Sequence, residues 1–192
     1  GNEASADGEK SSSIDKNNVS TDEANEPEEV WRKALRKELK PKERTAIPRV
    51  QMLELAPAYR ATTRLEEVNI GLTPEMAMQE AKRCLDCPKP TCVEGCPVGI
   101  HIPDFIKHIE HGDFLQAASI LKETSALPAV CGRVCPQEKQ CESRCIHLKM
   151  NSPAVAIGYL ERFAADYERE RGQMTLPKVA PSTGIKVAVV GS

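Results

Sequence analysis

Eight cysteines fall in two runs. CLDCPKPTCVEGCP sets Cys84, Cys87, Cys92 and Cys96 ahead of Pro97, and CGRVCPQEKQCESRC sets Cys131, Cys135, Cys141 and Cys145. Thiols this close together hold metal or do redox chemistry in a reducing compartment, whereas disulfide frameworks belong mainly to small secreted domains. The first run is also too crowded for easy pairing. Zinc sites built from four thiolates favour CxxC pairs, often two of them, and only one is present. The gaps of two, four and three residues, then three, five and three, fit iron–sulfur chemistry better. Three closely spaced thiolates wrap one cluster, and a Cys before Pro commonly serves another when two are present. On this reading Cys84, Cys87 and Cys92 grip one cluster and Cys96 turns toward a second.

Arg83, Lys89, Arg133, Lys139 and Lys149 lie close by in sequence and would offset the negative charge of a thiolate-bound cluster. Scattered Lys and Arg are the rule on any soluble chain, so they add little. His101, His108, His111 and His147 are not expected as ligands, because eight thiols nearly saturate two clusters.

The elements that must position these thiols are helices. In LTPEMAMQEAKRC, Thr73 can cap, Pro74 suits the first turn, and Glu75 and Arg83 suit the two ends of the dipole, so a helix delivers Cys84 at its end. IPDFIKHIEHG predicts a second helix closed by Gly112. Asp113 with Gln116 resembles a reciprocal cap for a third, DFLQAASILKETS. Phe105, Ile106, Ile109, Phe114, Ala118 and Leu121 are the expected core of this hairpin. SPAVAIGYLERFAADYERERG predicts a longer helix capped by Ser152, with Ile157, Leu160, Ala164 and Tyr167 as its buried stripe and Glu161 beside it.

Outside this centre the chain changes character. Residues 1–28 hold eight acidic residues, two basic ones and no aromatic, and read as disordered because too little apolar surface is available to offset ordering entropy. Residues 29–44 read as an amphipathic helix docked on its own protein, with seven basic and two acidic residues from Trp31 to Arg44. The following stretch, with Pro48 and Pro57, alternates poorly and is expected to drape as extended chain without forming sheet. GIKVAVVGS, from residue 184, is an apolar β-rich run expected to be the first strand of a dinucleotide-binding domain that continues beyond a fragment.

A net charge of −2 with three Phe, three Tyr and one Trp argues against a nucleic-acid surface. No uninterrupted apolar run is long enough to span a bilayer, so a soluble, cytoplasmic chain is expected, with no nucleic-acid or membrane partner.

The run from IPRVQMLELAPAYRATTRLEEVNIG through the first Cys group to HIPDFI, then LPAVCGRVCPQEKQCESRC and AVAIGYLERFAADYE, resembles the N-terminal iron–sulfur domain of the NADPH-dependent glutamate synthase small subunit. It is similar also to the equivalent domains of dihydropyrimidine dehydrogenase and of the electron-bifurcating ferredoxin:NADP oxidoreductase large subunit. The likeness covers about residues 45–192. It implies an all-α, alpha-helical ferredoxin-like domain over 45–182 holding two 4Fe–4S clusters, with the start of a flavin/NAD-binding domain at 183–192.

The resemblance also implies a crossed ligand set: Cys84, Cys87, Cys92 and Cys145 for one cluster, and Cys96, Cys135, Cys141 and Glu161 for the other. Cys131 is left over. Thiolate softness favours Cys131 as the eighth ligand, and family position favours Glu161. FAD and NADPH are implied for the parent protein, outside this chain. No catalytic residue is expected here: electrons from the flavin/NADPH domain pass singly to a glutamate synthase large subunit or another redox partner. A bifurcating transhydrogenase and a metal-stapled docking module are the alternatives.

Overall fold

Proline opens the helices of this chain with unusual regularity: Pro41, Pro57, Pro74, Pro103 and Pro128 each stand in a first turn. There the missing N–H costs nothing and the fixed φ is already helical. The computed structural model describes residues 28–172, 180–188 and 190. Its elements are α1 (Glu28–Glu38), α2 (Pro41–Ala46), β1 (Leu53–Glu54), α3 (Pro57–Arg60), β2 (Asn69–Gly71), α4 (Pro74–Ala81), α5 (Thr91–Glu94), α6 (Ile102–His111), α7 (Phe114–Lys122), α8 (Pro128–Val134) and α9 (Ile157–Glu170). Three short 3-10 turns, Gln137–Lys139, Glu142–Arg144 and Ile146–Met150, fill the space between α8 and α9.

The core lies among α4, α6, α7 and α9. Phe105, Ile106, Ile109, Ala118 and Leu121 are essentially inaccessible, and Phe114 is buried beside them. Phe114 meets Phe163 and Tyr167 edge-on, with ring centroids 5.1 and 4.9 Å away, the arrangement that ring quadrupoles favour. From α9, Ile157, Leu160 and Ala164 join this core and Tyr167 packs against it. Gly112 ends α6 at φ 96°, a conformation that costs glycine no steric strain.

A buried ion pair staples the two long irregular segments to α4. Glu80 accepts from Arg83 Nη1 at 2.6 Å, from Ala156 N at 2.8 Å and, through its other oxygen, from Val50 N at 2.8 Å. Arg83 donates in turn to the carbonyls of Ile47, Ala154 and Pro153. Each polar atom of the pair is satisfied, the condition under which a buried pair holds a structure rather than weakening it.

Several expectations need correction. The amphipathic helix expected over 29–44 is two helices, because Pro41 cannot continue α1 and instead starts α2. The segment expected to form no sheet contains a two-stranded antiparallel ladder pairing Leu53 with Gly71 and Glu54 with Asn69. Leu53 and Ile70 are exposed, so the pairing rests on main-chain bonds and left no alternating apolar pattern to read. Helix α9 starts at Ile157 rather than after Ser152, since Arg83 and Glu80 take up main-chain groups of Pro153, Ala154 and Ala156 and Ser152 Oγ donates to Thr45 O. The reciprocal cap at Asp113 does not form; its carboxylate accepts from His111 Nδ1 at 2.9 Å.

Over 185–188 no strand is formed, and Ile185 and Val187 are exposed. The disorder expected over 1–28, apart from Glu28, and the expected roles of Val189 and Gly191 lie outside the described residues. Among the described residues no helix is long and apolar enough to cross a membrane.

Candidate metal centre

Helix α4 is capped as its sequence predicts, with Met76 N donating to Thr73 Oγ1 at 3.3 Å, and its last turn leads into buried Cys84. Cys84, Cys87, Cys92 and Cys145 line one pocket whose walls include Ile102, Ile106, Val155 and Ile157. Desolvation pushes the Cys84 thiol up to about 11 and the Cys92 thiol up to about 12, and Cys92 is raised further by Cys84, Cys145 and Cys87. Cys87 is raised by burial and by Cys145. Three thiols of the first run and the last thiol of the second therefore face one another.

Between them Asp86 adopts φ 51°, a left-handed conformation uncommon outside glycine. Such a residue costs on the order of 1–3 kcal/mol and persists only when its surroundings hold it. Arg32 holds it with Nε at 2.9 Å and Nη2 at 2.6 Å, and Arg36 with Nε at 2.7 Å. Burial works against the Asp86 carboxylate, but the two guanidiniums prevail and keep it below its ordinary range.

The second group is built where α8 crosses α9. A side chain at Gly132 would place its Cβ 2.6 Å from Arg162 N, so only glycine allows α8 to approach this closely. The approach brings Cys131 and Cys135 toward Glu161. Desolvation raises Cys135 to about 11, with further contributions from Cys131, Glu161 and Cys96. Cys141 is raised to about 12 by burial, then by Glu142, Cys96 and Glu161. Cys96 thus points away from its own run, into the thiols of the other.

Glu161 itself is buried, and burial lifts its carboxyl to about 7. Its Oε1 has no hydrogen-bond partner among the described residues. A buried carboxylate oxygen left in this condition is costly unless it is protonated or meets a cation. Cys131 Sγ, by contrast, lies 3.9 Å from Ser125 Oγ.

The structure therefore gathers Cys84, Cys87, Cys92 and Cys145 in one place and Cys96, Cys135, Cys141 and Glu161 in another, with Cys131 beside the second group. Among the described residues, no three Cys, His, Asp or Glu side chains converge tightly enough to hold a single metal ion. A tetrahedral zinc site with bonds of about 2.3 Å needs its sulfurs roughly 3.8 Å apart. The histidines have other partners: His147 Nε2 lies 2.9 Å from Arg83 O, His101 pairs with Glu123, and His108 and His111 face Asp113.

Of the cations near the thiols in sequence, Arg83 is spent on main-chain carbonyls, and Arg133 pairs with Glu67 and Asp166. The cation that serves the first group is one the sequence reading missed. Lys107 is fully buried, donates to Cys84 O at 2.8 Å and to Glu110, and lowers the cost of charge on Cys84 and Cys87. A lysine between Ile106 and His108 on an otherwise apolar stripe, three residues before Glu110, was the available signal. Glu142 was missed as well: it accepts from Gly158 N at 3.3 Å and from Arg49 at 2.8 Å, tying the second Cys run to the start of α9.

Residues 60–173 match the family described as dihydropyrimidine dehydrogenase domain II, 4Fe-4S cluster. The chain is similar to the NAD-dependent dihydropyrimidine dehydrogenase subunit PreT of Escherichia coli O157:H7, at 39% identity over 67% of this chain and 31% of that protein. It is similar also to the glutamate synthase [NADPH] small chain of Escherichia coli K12, at 40% over 60% of this chain and 24% of the relative. The Azospirillum brasilense small chain is 30% identical over 74% of this chain and 30% of its own length. The chain spans under a third of each of these relatives.

Proposed function

This chain belongs to the dihydropyrimidine dehydrogenase domain II, 4Fe-4S cluster family, and from that premise we propose that it is a two-cluster relay passing single electrons between a flavin and a redox partner. Cys84, Cys87, Cys92 and Cys145 would hold one cluster, and Cys96, Cys135, Cys141 and Glu161 the other. When bound, each cluster supplies one-electron chemistry, which lets the two-electron output of a reduced flavin be divided.

The observation that carries this reading is the pairing of a crossed thiol arrangement with an orphaned carboxylate. Glu161 Oε1 is buried, lacks a hydrogen bond among the described residues and faces Cys135 and Cys141, the thiols that Cys96 of the first run also faces, so a cation there would satisfy it. The donor sets fit thiolate-bound iron: soft ligands, and apolar walls on the first group. The protein's own part is to bring the thiols together, to keep water from the first group with Ile102, Ile106 and Val155, and to offset charge at Cys84 through Lys107.

Relatives named as glutamate synthase small chains and as a dihydropyrimidine dehydrogenase subunit match at similar identity. The proposed function is therefore the electron transfer they share. The glutamate synthase acceptor is one case of it, the dihydropyrimidine dehydrogenase type is another, and NADPH and FAD belong to a neighbouring domain.

Anaerobic iron, zinc and acid-labile sulfide per chain test the reading, with EPR after reduction. About eight iron and eight sulfide are expected from two four-iron clusters. Zinc without sulfide would instead mark a stapled docking module.

A further inference from the structure

The outward face of α1, α2 and the turn between them carries Lys33, Lys37, Lys40 and Lys42, all exposed, beside Arg36, whose charge is paired with Asp86, against Glu38 and Glu43, in a chain whose net charge is −2. This basic face borders a cleft of about 660 Å³, with Lys33 and Arg36 on one side and Cys87, Pro88 and Val93 on the other. Cys87 also lines the pocket shared by the four thiols of the first group. The floor of the cleft is therefore the outer wall of that group. The helix is fixed over it by Arg32, which binds Asp86 and, at 2.7 Å, Asp104. Both α1 and α2 precede the matched family segment, which starts at residue 60.

Resting on the electron-transfer reading above, we propose that the basic face of α1 and α2 is a docking surface for an acidic-surfaced, one-electron carrier protein, seated over Cys87. Opposite charge steers encounter and raises association rates by roughly 10 to 1,000-fold, an effect screened by salt. A membrane is the other partner that a basic helix could meet, but it requires an apolar face to insert. Here the aromatic of that face, Trp31, is buried, stacked on His111 at 4.4 Å and edge-on to His108 at 4.9 Å. One electron passes at such a contact, in either direction, with no bond made or broken.

The test is equilibrium binding of the cluster-loaded chain to a plant-type 2Fe–2S ferredoxin as acidic probe, at about 0.01 M and about 0.15 M ionic strength. Phosphatidylserine vesicles and a basic cytochrome c serve as further probes. The ferredoxin is expected to bind at least about tenfold more weakly at the higher salt, and the double variant Lys33→Glu with Lys37→Glu to lose about tenfold at low salt. Lys37→Gln with Lys42→Gln should lose less. Arg64→Glu, a charge change on the β1–β2 connection, should stay within about twofold, and iron content and EPR should match wild type throughout. Loaded lysine variants that bind ferredoxin like wild type overturn the docking surface alone, as does capture by vesicles or cytochrome c in preference to ferredoxin. A chain that takes up no iron or sulfide overturns the electron-transfer reading, and the docking proposal with it.

Discussion

Glu161 is one residue among twenty-eight acidic ones, and what sets it apart from the other buried carboxylates among the described residues is an oxygen without a hydrogen bond. Arg83, Glu80, Lys107 and Glu110 are as deeply buried, yet each is satisfied by a neighbour. The thiols around Glu161 offer only weak donors. Glu161→Ala is expected to lower bound iron from about eight to about four per chain while the EPR signal of the Cys84 group persists. Cys131→Ser should leave iron unchanged, and the reverse pattern would make Cys131 the eighth ligand. The eight cysteines could be found from spacing alone, because thiols rarely cluster without a reason. Glu161 came from family likeness, since a glutamate beside an apolar helical stripe is ordinary until the tertiary fold shows what it faces. Lys107 escaped for the same reason.

At the scale of elements, the second group exists because α8 and α9 touch at Gly132. An alanine there would meet Arg162 N at 2.6 Å and Arg162 Cα at 2.8 Å. Both are backbone atoms, so the helices must part. Gly132→Ala should destabilise the domain by about 1–3 kcal/mol and lose the Glu161 cluster before the Cys84 cluster, as read by iron content and EPR. Helix α4 with its Thr73 cap, α6 with its Gly112 stop, and the stripe on α9 were legible because capping and periodicity are local. The late start of α9 was not, since the competing partners of 153–156, Glu80 on α4 and Arg83 just after it, lie some seventy residues away. The β1–β2 ladder was equally hidden: its strands are two and three residues long.

For the whole molecule, the thiol-bearing segments hold only short regular structure of their own: a four-residue α5, the end of α8 that carries Cys131, and three 3-10 turns. Of their thiols only Cys84 and Cys141 join the apolar core, with Cys92, Cys96 and Cys145 packed at its edge. Removing the clusters with a chelator under reducing conditions is therefore expected to loosen 84–96 and 131–145, seen as faster amide exchange, while α6 and α7 keep their protection. Equal exchange in both forms would show a preformed site. The crossed grouping of thiols also bears on how the chain is made. Cys145 follows Cys92 by 53 residues, a delay of roughly 3–10 s at a synthesis rate of about 5–20 residues per second. Throughout that interval Cys84, Cys87 and Cys92 wait for a fourth partner, and Cys96 waits for α8 and α9. On the proposed ligand sets neither centre could close before Cys145 and α9 are made, so the first thiols would have to be kept reduced through that interval.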